Sequence, residues 1–320
     1  MSKKTLRAAS ALICALGLLL SGAVNAACSV ATQQLSISLG TASAFNINST
    51  ALASSGAGGM SCTGISIALL ADNSLSGIIS STTGQMNLVN EQDTRYKIPY
   101  GVYADSGYKN AFNTATALEY GKSGLDLLGL AVISGGLNVT LYVRTTTGAT
   151  TPVPAGTYSD TITIFWKYHL CSALLCIGNS VEDSSGTSKI KISVVVTKDC
   201  KIDSTQSITF APSALVESFA TVTPTVQLTC SLNTPYTAYI NNGLNYSAPW
   251  RRMKKTNPDA YLQYNLYAPN ASTVWSSTSP ISASGSGGPQ IISYTARINS
   301  SQPPASAGTY TDTVQFVVEY

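Results

Sequence analysis

One fourteen-residue pattern occurs twice in this sequence. Residues 155–168 read AGTYSDTITIFWKY, and residues 307–320 read AGTYTDTVQFVVEY. Apolar and polar residues alternate in both copies, which is typical of a β-strand with one buried face, and we expect the second strand to run from Thr309 to Tyr320. The apolar residues on one face of this second strand are Tyr310, Val314, Phe316, Val318 and Tyr320. An internal repeat of this kind predicts two copies of one folding unit.

Further landmarks occur in the same order around each copy. Each copy opens with two cysteines and continues with an aromatic strand, YGVY from Tyr100 and YNLY from Tyr264. Short runs of Val, Ile, Thr and Tyr lie between these landmarks, separated by Gly, Ser, Asn and Pro, and no long stretch has a helical period. The sequence therefore predicts an all-β protein made of two immunoglobulin-like β-sandwiches in tandem, an N-terminal domain at 27–198 and a C-terminal domain at 199–320.

The two copies differ after the repeated strand. In the first copy a hairpin, HLCSALLCIGN, leads to the alternating run KIKISVVV from Lys189 to Val196, which predicts a seventh strand. The second copy has no such run, so we expect its sandwich to lack the last strand and to expose unpaired backbone groups, an aggregation hazard unless another chain fills the gap. The alternative is a six-stranded sandwich that is closed by its own loops.

The N-terminus has the pattern of a secretory signal peptide, predicted at residues 1–26. Lys3, Lys4 and Arg7 precede an apolar run at 8–20, and Val24–Ala26 has the small residues of a cleavage site. These three cations account for the formal net charge of +3, so the remainder carries equal numbers of basic and acidic residues. A near-neutral chain with 10% charged residues is not suited to electrostatic binding of nucleic acid, so no nucleic-acid partner is expected.

The cysteines point to disulfide bonds in an exported protein. Cys14 lies in the predicted signal peptide, and the six that remain are an even number, as in disulfide-bonded secreted domains. The six could pair in many ways, but the repeat favours one bridge within each copy and one short bridge in the hairpin. The predicted pairs are Cys28–Cys62, Cys200–Cys230 and Cys171–Cys176.

Five motifs of the second copy resemble the spore coat protein U domain, the pilin fold of archaic chaperone–usher pili. In chain order they are SITFAP, VQLTCSLNTPYTAYINNGLN, RRMKK, YLQYNLYAPNASTVW and AGTYTDTVQFVVEY. The resemblance covers nearly all of Cys200–Tyr320, whereas the first copy is a diverged one without an equivalent of NGLN and RRM. A signal peptide followed by two such domains is similar to the two-domain tip adhesins of Csu-type pili.

This resemblance implies a role at the tip of a pilus. It implies a periplasmic chaperone, an outer-membrane usher and an adjacent pilin subunit that donates a β-strand along Tyr310, Val314, Phe316, Val318 and Tyr320. The cell-surface pilus tip, reached through the periplasm, is the implied location, and attachment to surfaces and biofilm formation are the implied function. Cleavage after Ala26 would leave one residue before Cys28, so we expect a subunit that accepts a strand but donates none.

Strand directions predict where adhesion occurs. The strand Lys189–Val196 must run toward the second domain, so the loop before it, Cys171–Ser188, lies at the opposite, free pole. Because connections alternate between the two ends of an immunoglobulin sandwich, we expect the loops Gly121–Gly136 and Asp72–Asp93 at the same pole. These loops carry apolar residues, which we expect to form one tip that binds hydrophobic or abiotic surfaces. They are Leu75, Ile78, Ile79, Leu127, Leu128, Leu130, Leu174, Leu175 and Ile177. The alternative is that some of them belong to strands or to the core.

No catalytic, metal or cofactor site is predicted. His169 is the single histidine, no cysteine–histidine cluster has metal spacing, and the Gly-rich run 282–290 precedes no helix. Two other functions remain open beside the apolar tip. One is a lectin-type adhesin, in which Trp250 and Trp275 could stack on sugars; Trp166 is expected to face the core instead. The other is a non-adhesive structural coat or fibre-cap subunit.

Overall fold

The computed structural model of this protein describes residues 27–63, 74–120, 136–171, 181–256, 259–270 and 272–320. Apart from a 3-10 turn at Val216–Ser218, the regular structure in these ranges is β-strand, which confirms the predicted all-β class. None of the helical structure described there is long and apolar enough to cross a membrane. The predicted signal peptide at 1–26 lies outside the described residues.

The first ten strands hydrogen-bond into one sheet around a single core. Their order along the sheet is β1-β3-β8-β6-β5-β9-β10-β2; β4 joins this order by pairing with β9, and β7 pairs with β4. The strands are β1 (Ala27–Val30), β2 (Leu35–Ser43), β3 (Ala53–Thr63), β4 (Ser74–Ser81), β5 (Asn87–Asn90), β6 (Lys97–Tyr103), β7 (Leu118–Tyr120), β8 (Gly136–Thr145), β9 (Gly156–Cys171) and β10 (Val181–Thr197).

The alternation of β9 and β10 supplies much of this first core. Every second residue is buried from Tyr158 to Tyr168 on β9 and from Ser188 to Val196 on β10, because successive side chains of a strand point to opposite faces. The buried residues are Tyr158, Asp160, Ile162, Ile164, Trp166 and Tyr168 on β9 and Ser188, Ile190, Ile192, Val194 and Val196 on β10. Burial of a Val, Leu or Ile side chain stabilises the fold by roughly 1.5–3 kcal/mol, so these two strands are central to the first domain.

The predicted seventh strand of the first domain is confirmed, and it is longer than predicted. β10 begins at Val181 and pairs antiparallel with β9 throughout, placing Ile190 beside Ile162. Its other edge pairs in parallel with β2, placing Ile192 beside Ile37. β10 therefore lies between β9 and β2 with hydrogen-bonded neighbours on both sides.

The remaining strands form three three-stranded sheets around a second core. The sheet orders are β11-β12-β17, β16-β13-β19 and β14-β15-β18. The strands are β11 (Cys200–Thr205), β12 (Thr225–Cys230), β13 (Pro235–Ile240), β14 (Arg251–Lys255), β15 (Ala260–Tyr267), β16 (Ile281–Ser284), β17 (Pro289–Ser293), β18 (Thr295–Ile298) and β19 (Phe316–Glu319). Trp275, Leu228 and Leu266 are fully buried in this second core.

A tyrosine–aspartate hydrogen bond occurs at the same place in both cores. Tyr100 of YGVY donates its hydroxyl to Asp160 at 2.7 Å, and Tyr264 of YNLY donates to Asp312 at 2.7 Å. Both aspartates lie on the inward face of an AGTY segment. Because a buried polar group needs a hydrogen-bond partner, each tyrosine explains the polar residue that interrupts an otherwise apolar face.

Two of the three predicted disulfides are confirmed. Cys28–Cys62 joins directly opposed residues of β1 and β3, and Cys200–Cys230 does the same for β11 and β12. The third predicted bridge, Cys171–Cys176, cannot be compared because Cys176 lies outside the described residues. That bridge stays a prediction.

The prediction of one continuous last strand from Thr309 to Tyr320 was wrong in its extent. Only Phe316–Glu319 forms a strand, β19, which pairs antiparallel with β13. N-terminal to it, a single bridge joins Thr311 to Lys254. The corresponding residues of β9 have β-strand partners on both edges, whereas the segment before β19 has partners on one edge, so its ladder is incomplete.

Candidate functional site: an open groove beside the C-terminal segment

Two adjoining cavities form a groove in the second domain, which we call the open groove. It lies between residues 205–219, which extend from the last residue of β11, and residues 305–316, which extend to the first residue of β19. One cavity has a volume of about 380 Å³ and the other about 590 Å³. The residues that line both cavities are Ile208, Phe210, Met253, Tyr310 and Thr311.

The first wall of the open groove is an extended segment without a strand partner. Gln206 donates its backbone N–H to the carbonyl of Thr225, and the regular ladder of β11 ends there. In the described part of the chain, the backbone groups of Ile208–Ala211 make no hydrogen bond. The side chains of Ile208 and Phe210 are half-buried against the second core.

The second wall, the segment before β19, forms backbone hydrogen bonds along one of its two edges. Thr311 exchanges two backbone hydrogen bonds with Lys254, at 2.8 and 3.0 Å, and the carbonyl of Gln315 accepts from Asn241 at 2.9 Å. Within the described ranges, no backbone partner is found for Tyr310, Asp312 or Val314. The groove is therefore bounded on both sides by backbone groups that are free to pair with a further strand.

The first domain has a strand at the corresponding place. There the AGTY segment of β9 pairs with β10, with Tyr158 beside Val194 and Ile162 beside Ile190. On the other side of β10 lies β2, which follows β1 as the 206–212 segment follows β11. The open groove thus occupies the position that β10 fills in the first domain.

Asp312 is the charged residue among those that line the open groove. Its carboxylate accepts from the backbone N–H of Leu244 at 3.1 Å, from Asn245 Nδ2 at 3.3 Å and from the hydroxyl of Tyr264. Burial, followed by this hydrogen bond, raises the pKa of Tyr264. Asp312 is half-buried, whereas Asp160 is buried under β10.

Two cations of the RRMKK run, Arg251–Lys255, donate hydrogen bonds to backbone carbonyls around the groove. Arg251 is fully buried and donates to the carbonyls of Ile240, Asn241 and Trp275 at 2.7–2.9 Å. Burial lowers the pKa of its guanidinium. Lys255 Nζ donates to the carbonyl of Ala307, the first residue of the AGTY segment, at 2.6 Å. These cations therefore hold the backbone of the second wall and of β13.

Family comparison places the chain among known proteins. The family model described as Spore Coat Protein U domain matches residues 16–165 and again residues 186–317. The protein belongs to the spore coat protein U domain family. Among curated proteins, none matches this chain.

Solved structures of pilus proteins are similar to this spore coat protein U family member. One is the CsuC–CsuE chaperone–tip adhesion subunit pre-assembly complex from the archaic chaperone-usher Csu pili of Acinetobacter baumannii. Its match is 24% identical, covers 92% of this chain and 100% of that one, and has a TM-score of 0.57. Another is the CupB6 tip adhesin from Pseudomonas aeruginosa, at 10% identity, with coverage of 92% and 94% and a TM-score of 0.36. The first of these supports the fold of two tandem immunoglobulin-like sandwiches.

Three of the five residues predicted for the acceptor edge of the second spore coat protein U domain line the open groove. They are Tyr310, Val314 and Phe316. Val318 packs against the second core instead, and Tyr320 is 57% exposed beyond the end of β19. The sequence prediction missed the opposite wall, Ile208 and Phe210, although the alternation in SITFAP was a signal for it.

The predicted apolar tip of the first spore coat protein U domain needs a correction. Leu75 and Ile79 are 0% and 2% exposed, because they lie on the inward face of β4 and pack in the first core. Ile78 is half-buried on the other face of β4. Asp72–Asp93 is therefore not one loop. The other tip residues lie outside the described residues: Leu127, Leu128, Leu130, Leu174, Leu175 and Ile177.

Several strand ends meet at the pole of the first domain that is remote from Thr197. Paired residues there are Thr63 with Gly136, Leu75 with Tyr120, and Cys171 with Val181. The connections 64–73, 121–135 and 172–180 leave from these ends. Two of them fall within the loops predicted at this pole, whereas the third predicted loop, Asp72–Asp93, contains β4 and β5.

Two of the three tryptophans are unavailable for stacking on a sugar. Trp166 and Trp275 are fully buried, and their ring N–H groups donate to Ser188 Oγ at 3.0 Å and to the carbonyl of Ala238 at 2.8 Å. The expectation that Trp166 faces the core is confirmed. Trp250 is half-buried.

Proposed function

We propose that this protein is the tip adhesin of a chaperone–usher pilus. In this proposal the domain at 27–198 carries the adhesive surface, and the domain at 199–320 joins the fibre by accepting a β-strand from an adjacent pilin subunit. The chain is exported through the periplasm with its signal peptide removed, and it reaches the cell surface at the end of a pilus.

The open groove is the observation that carries this proposal. Its walls present free backbone groups, and its lining is largely apolar, with Ile208, Phe210, Val314 and Phe316 half-buried at its floor. An added strand would pair with both walls and bury these side chains, as in recognition by β-strand addition. An unfilled edge of this kind favours aggregation, so a partner must occupy it from the time of folding.

The same argument supports the implied assembly partners. A periplasmic chaperone occupies the groove first, and the strand of the next subunit replaces it at the outer-membrane usher. A complex of a chaperone with a tip subunit is what the Csu structure contains, and that structure is similar to this chain.

Adhesion is assigned to the pole of the first domain remote from Thr197. The connections 121–135 and 172–180 leave from strand ends at this pole, and their sequences include LDLLGLAVI and SALL. We assign hydrophobic, including abiotic, surfaces as the target because burial of apolar area contributes about 25 cal/mol per Å² before the costs of association. Surface attachment of this kind would support biofilm formation.

Strand acceptance is tested on the full chain, exported to the periplasm of a host bacterium. A flexible linker and a strand of alternating Val and Thr are fused after Tyr320. We expect the fused protein to be monomeric and to unfold at a higher temperature than the unfused chain, in size-exclusion and calorimetric measurements. The control strand contains the same residues as one block of Val followed by one block of Thr. Because Val and Thr do not alternate in it, neither face of the strand is apolar along its whole length. Equal behaviour of the chain with and without the alternating strand would refute strand acceptance.

Adhesion is tested by replacing Leu128, Leu174 and Leu175 with serine in piliated cells. We expect attachment to plastic to be lost while pili are still assembled, because the apolar contact area is removed. The matched controls are Leu244→Ser and Ile291→Ser, since these residues are 77% and 68% exposed in the second domain. Competition by soluble sugars would favour the lectin reading, and normal attachment of the triple variant would overturn the apolar tip.

A further inference from the structure

Three tyrosines and an arginine lie together on an outer face of the first domain. We infer that Tyr103, Tyr108, Tyr142 and Arg144, which we call the tyrosine–arginine cluster, bind an acidic polysaccharide. Its units are uronic acids, pyranose rings that each carry a carboxylate. The cluster takes no part in the proposed function, which uses the open groove and the remote pole, so this is a second binding site.

Strand alternation turns three members of the cluster outward. Their sequence neighbours on β6 and β8 are buried in the first core: Val102, Ala104, Leu141 and Val143. Because successive side chains of a strand point to opposite faces, Tyr103, Tyr142 and Arg144 leave the outer face of the sheet. Tyr103 lies directly opposite Tyr142 on the adjoining strand. Both rings are half-buried, and Arg144 is exposed.

The loop after β6 brings Tyr108 to the same face. Its ring stands edge-on to that of Tyr103, with centroids 5.3 Å apart, and the Arg144 guanidinium lies over the Tyr108 ring at 5.1 Å. The carboxylate of Asp105 accepts from three backbone N–H groups of residues 107–110 at 2.7–3.1 Å. These bonds hold the loop, so the ring is in place before any ligand binds, which lowers the cost of binding.

Tyr108 has a backbone conformation that tyrosine rarely adopts. Its φ is 55°, in the left-handed region, although the preceding Gly107 would adopt that conformation without steric cost. Strained residues of this kind cluster at functional sites, where the surrounding structure holds them in place. The strain lies at the position that sets the Tyr108 ring against Tyr103 and Arg144.

The surface around the cluster is shallow and suits a long ligand. On one side β8 pairs with β3, whose outward residues are small and exposed: Ala53, Ser55 and Ala57. On the other side the Tyr103 side chain lies over Gly101, where a Cβ would be 2.7 Å from the tyrosine hydroxyl oxygen. Small molecules are usually bound in concave pockets, whereas successive rings of a polysaccharide can lie along an open face.

The chemistry of the cluster favours a sugar that carries a carboxylate. One face of a pyranose ring presents C–H groups, which are attracted to the negative face of an aromatic ring. Within the described ranges Arg144 forms no ion pair, and its planar guanidinium can donate two parallel hydrogen bonds to a carboxylate. Asp105 does not fill that role, because its oxygens accept from the backbone of its own loop. A neutral sugar would leave Arg144 unpaired.

The cluster is separate from the predicted apolar tip. Tyr142 lies six positions after Gly136, the first residue of β8 at the remote pole, which is about 20 Å along the strand. Binding of a polysaccharide to this face and attachment of the pole to a surface can therefore be removed independently.

The test measures binding of a galacturonic acid oligomer to the full exported chain by isothermal titration calorimetry. The comparison ligand is the same oligomer with its carboxyl groups reduced to alcohols. We expect Arg144→Ala to weaken binding of the acidic oligomer by roughly tenfold or more, because a charge-assisted pair is lost, and to leave binding of the reduced oligomer unchanged. Tyr142→Ala should weaken binding of both oligomers, because stacking does not need the carboxylate.

The matched controls remove the same groups elsewhere. Arg95→Ala removes an exposed arginine of the first domain that pairs with Asp93, and Tyr246→Ala removes a tyrosine that is 41% exposed in the second domain. Neither should change binding of the acidic oligomer. Calorimetric unfolding of each variant checks that the first domain is still folded. Equal losses with Arg95→Ala and Arg144→Ala, equal binding of the two oligomers, or no binding by the unsubstituted chain would overturn the inference.

Attachment to plastic separates this site from the proposed function. Arg144→Ala should leave attachment of piliated cells to plastic unchanged, and serine at Leu128, Leu174 and Leu175 should leave binding of the acidic oligomer unchanged. If the serine variant loses attachment and the unsubstituted chain does not bind the oligomer, the proposed function stands and the polysaccharide site fails. If the serine variant attaches normally and Arg144→Ala weakens oligomer binding, the apolar tip fails and the polysaccharide site stands.

Discussion

At the residue scale, the polar side chains that alternation turns inward are held by buried partners. Ser188 is the clearest case, because it accepts from Trp166 Nε1 at 3.0 Å and donates to the carbonyl of Gly58 at 2.8 Å. Sequence alternation could place Ser188 and Asp160 on the inner face. It could not show why they are tolerated there, since their partners come from residues 22 to 130 positions away.

Ser188→Ala should destabilise the first domain. It leaves the buried N–H of Trp166 and the carbonyl of Gly58 without this partner, which costs about 1–3 kcal/mol in the free energy of unfolding. Ser193→Ala is the matched control, because Ser193 lies on the outer face of the same strand. Denaturant unfolding of both variants measures the difference. Losses equal within about 0.5 kcal/mol would contradict the bridging role of Ser188.

Alkaline pH should destabilise both domains. Burial, followed by a hydrogen bond to an aspartate, raises the pKa of Tyr100 and of Tyr264. The unfolded chain loses these phenol protons near pH 10 while the folded chain keeps them, so the free energy of unfolding falls as the pH rises above about 10. Tyr100→Phe should make this fall shallower in pH-dependent denaturation of the first domain. An unchanged slope would count against the raised pKa.

At the element scale, the strands that could be predicted are those with a long alternating pattern. β9 and β10 were foreseen because apolar residues recur at every second position, with Asp160 as the exception on β9 and over Lys189–Val196 on β10, and the repeat also gave the pairing of the cysteines in β1–β3 and β11–β12. β4 was missed because Ser and Gly separate Leu75 from Ile79, and SLSGII therefore resembles a loop.

The extent of the last strand shows a second limit of sequence patterns. Residues 309–315 alternate as well as 157–163 do, yet they form one bridge where the first domain has a full ladder. Alternation reports which side chains can be buried on one face. It does not report whether a neighbouring strand is present within the chain: the first domain has β10 there, and the second has the open groove.

At the scale of the whole molecule, one chain carries a filled and an open version of the same sandwich. In the first domain, β10 pairs with β9 on one edge and with β2 on the other and closes the core. The first domain is therefore stabilised by a strand of its own chain. The second domain presents the open groove in the corresponding position, so a strand bound there would stabilise it by mass action. In the proposed function, this difference lets one domain display an adhesive surface while the other joins a fibre.

Hydrogen exchange tests the open groove most directly, because the first domain is an internal reference. In the full chain without a fused strand, the amides of Ile208, Phe210, Asp312 and Val314 should exchange faster by roughly an order of magnitude or more than those of Leu35, Ile37, Asp160 and Ile162. Fusion of the alternating Val/Thr strand after Tyr320 should bring the two sets close together. Equal protection of both sets in the unfused chain would contradict an open groove.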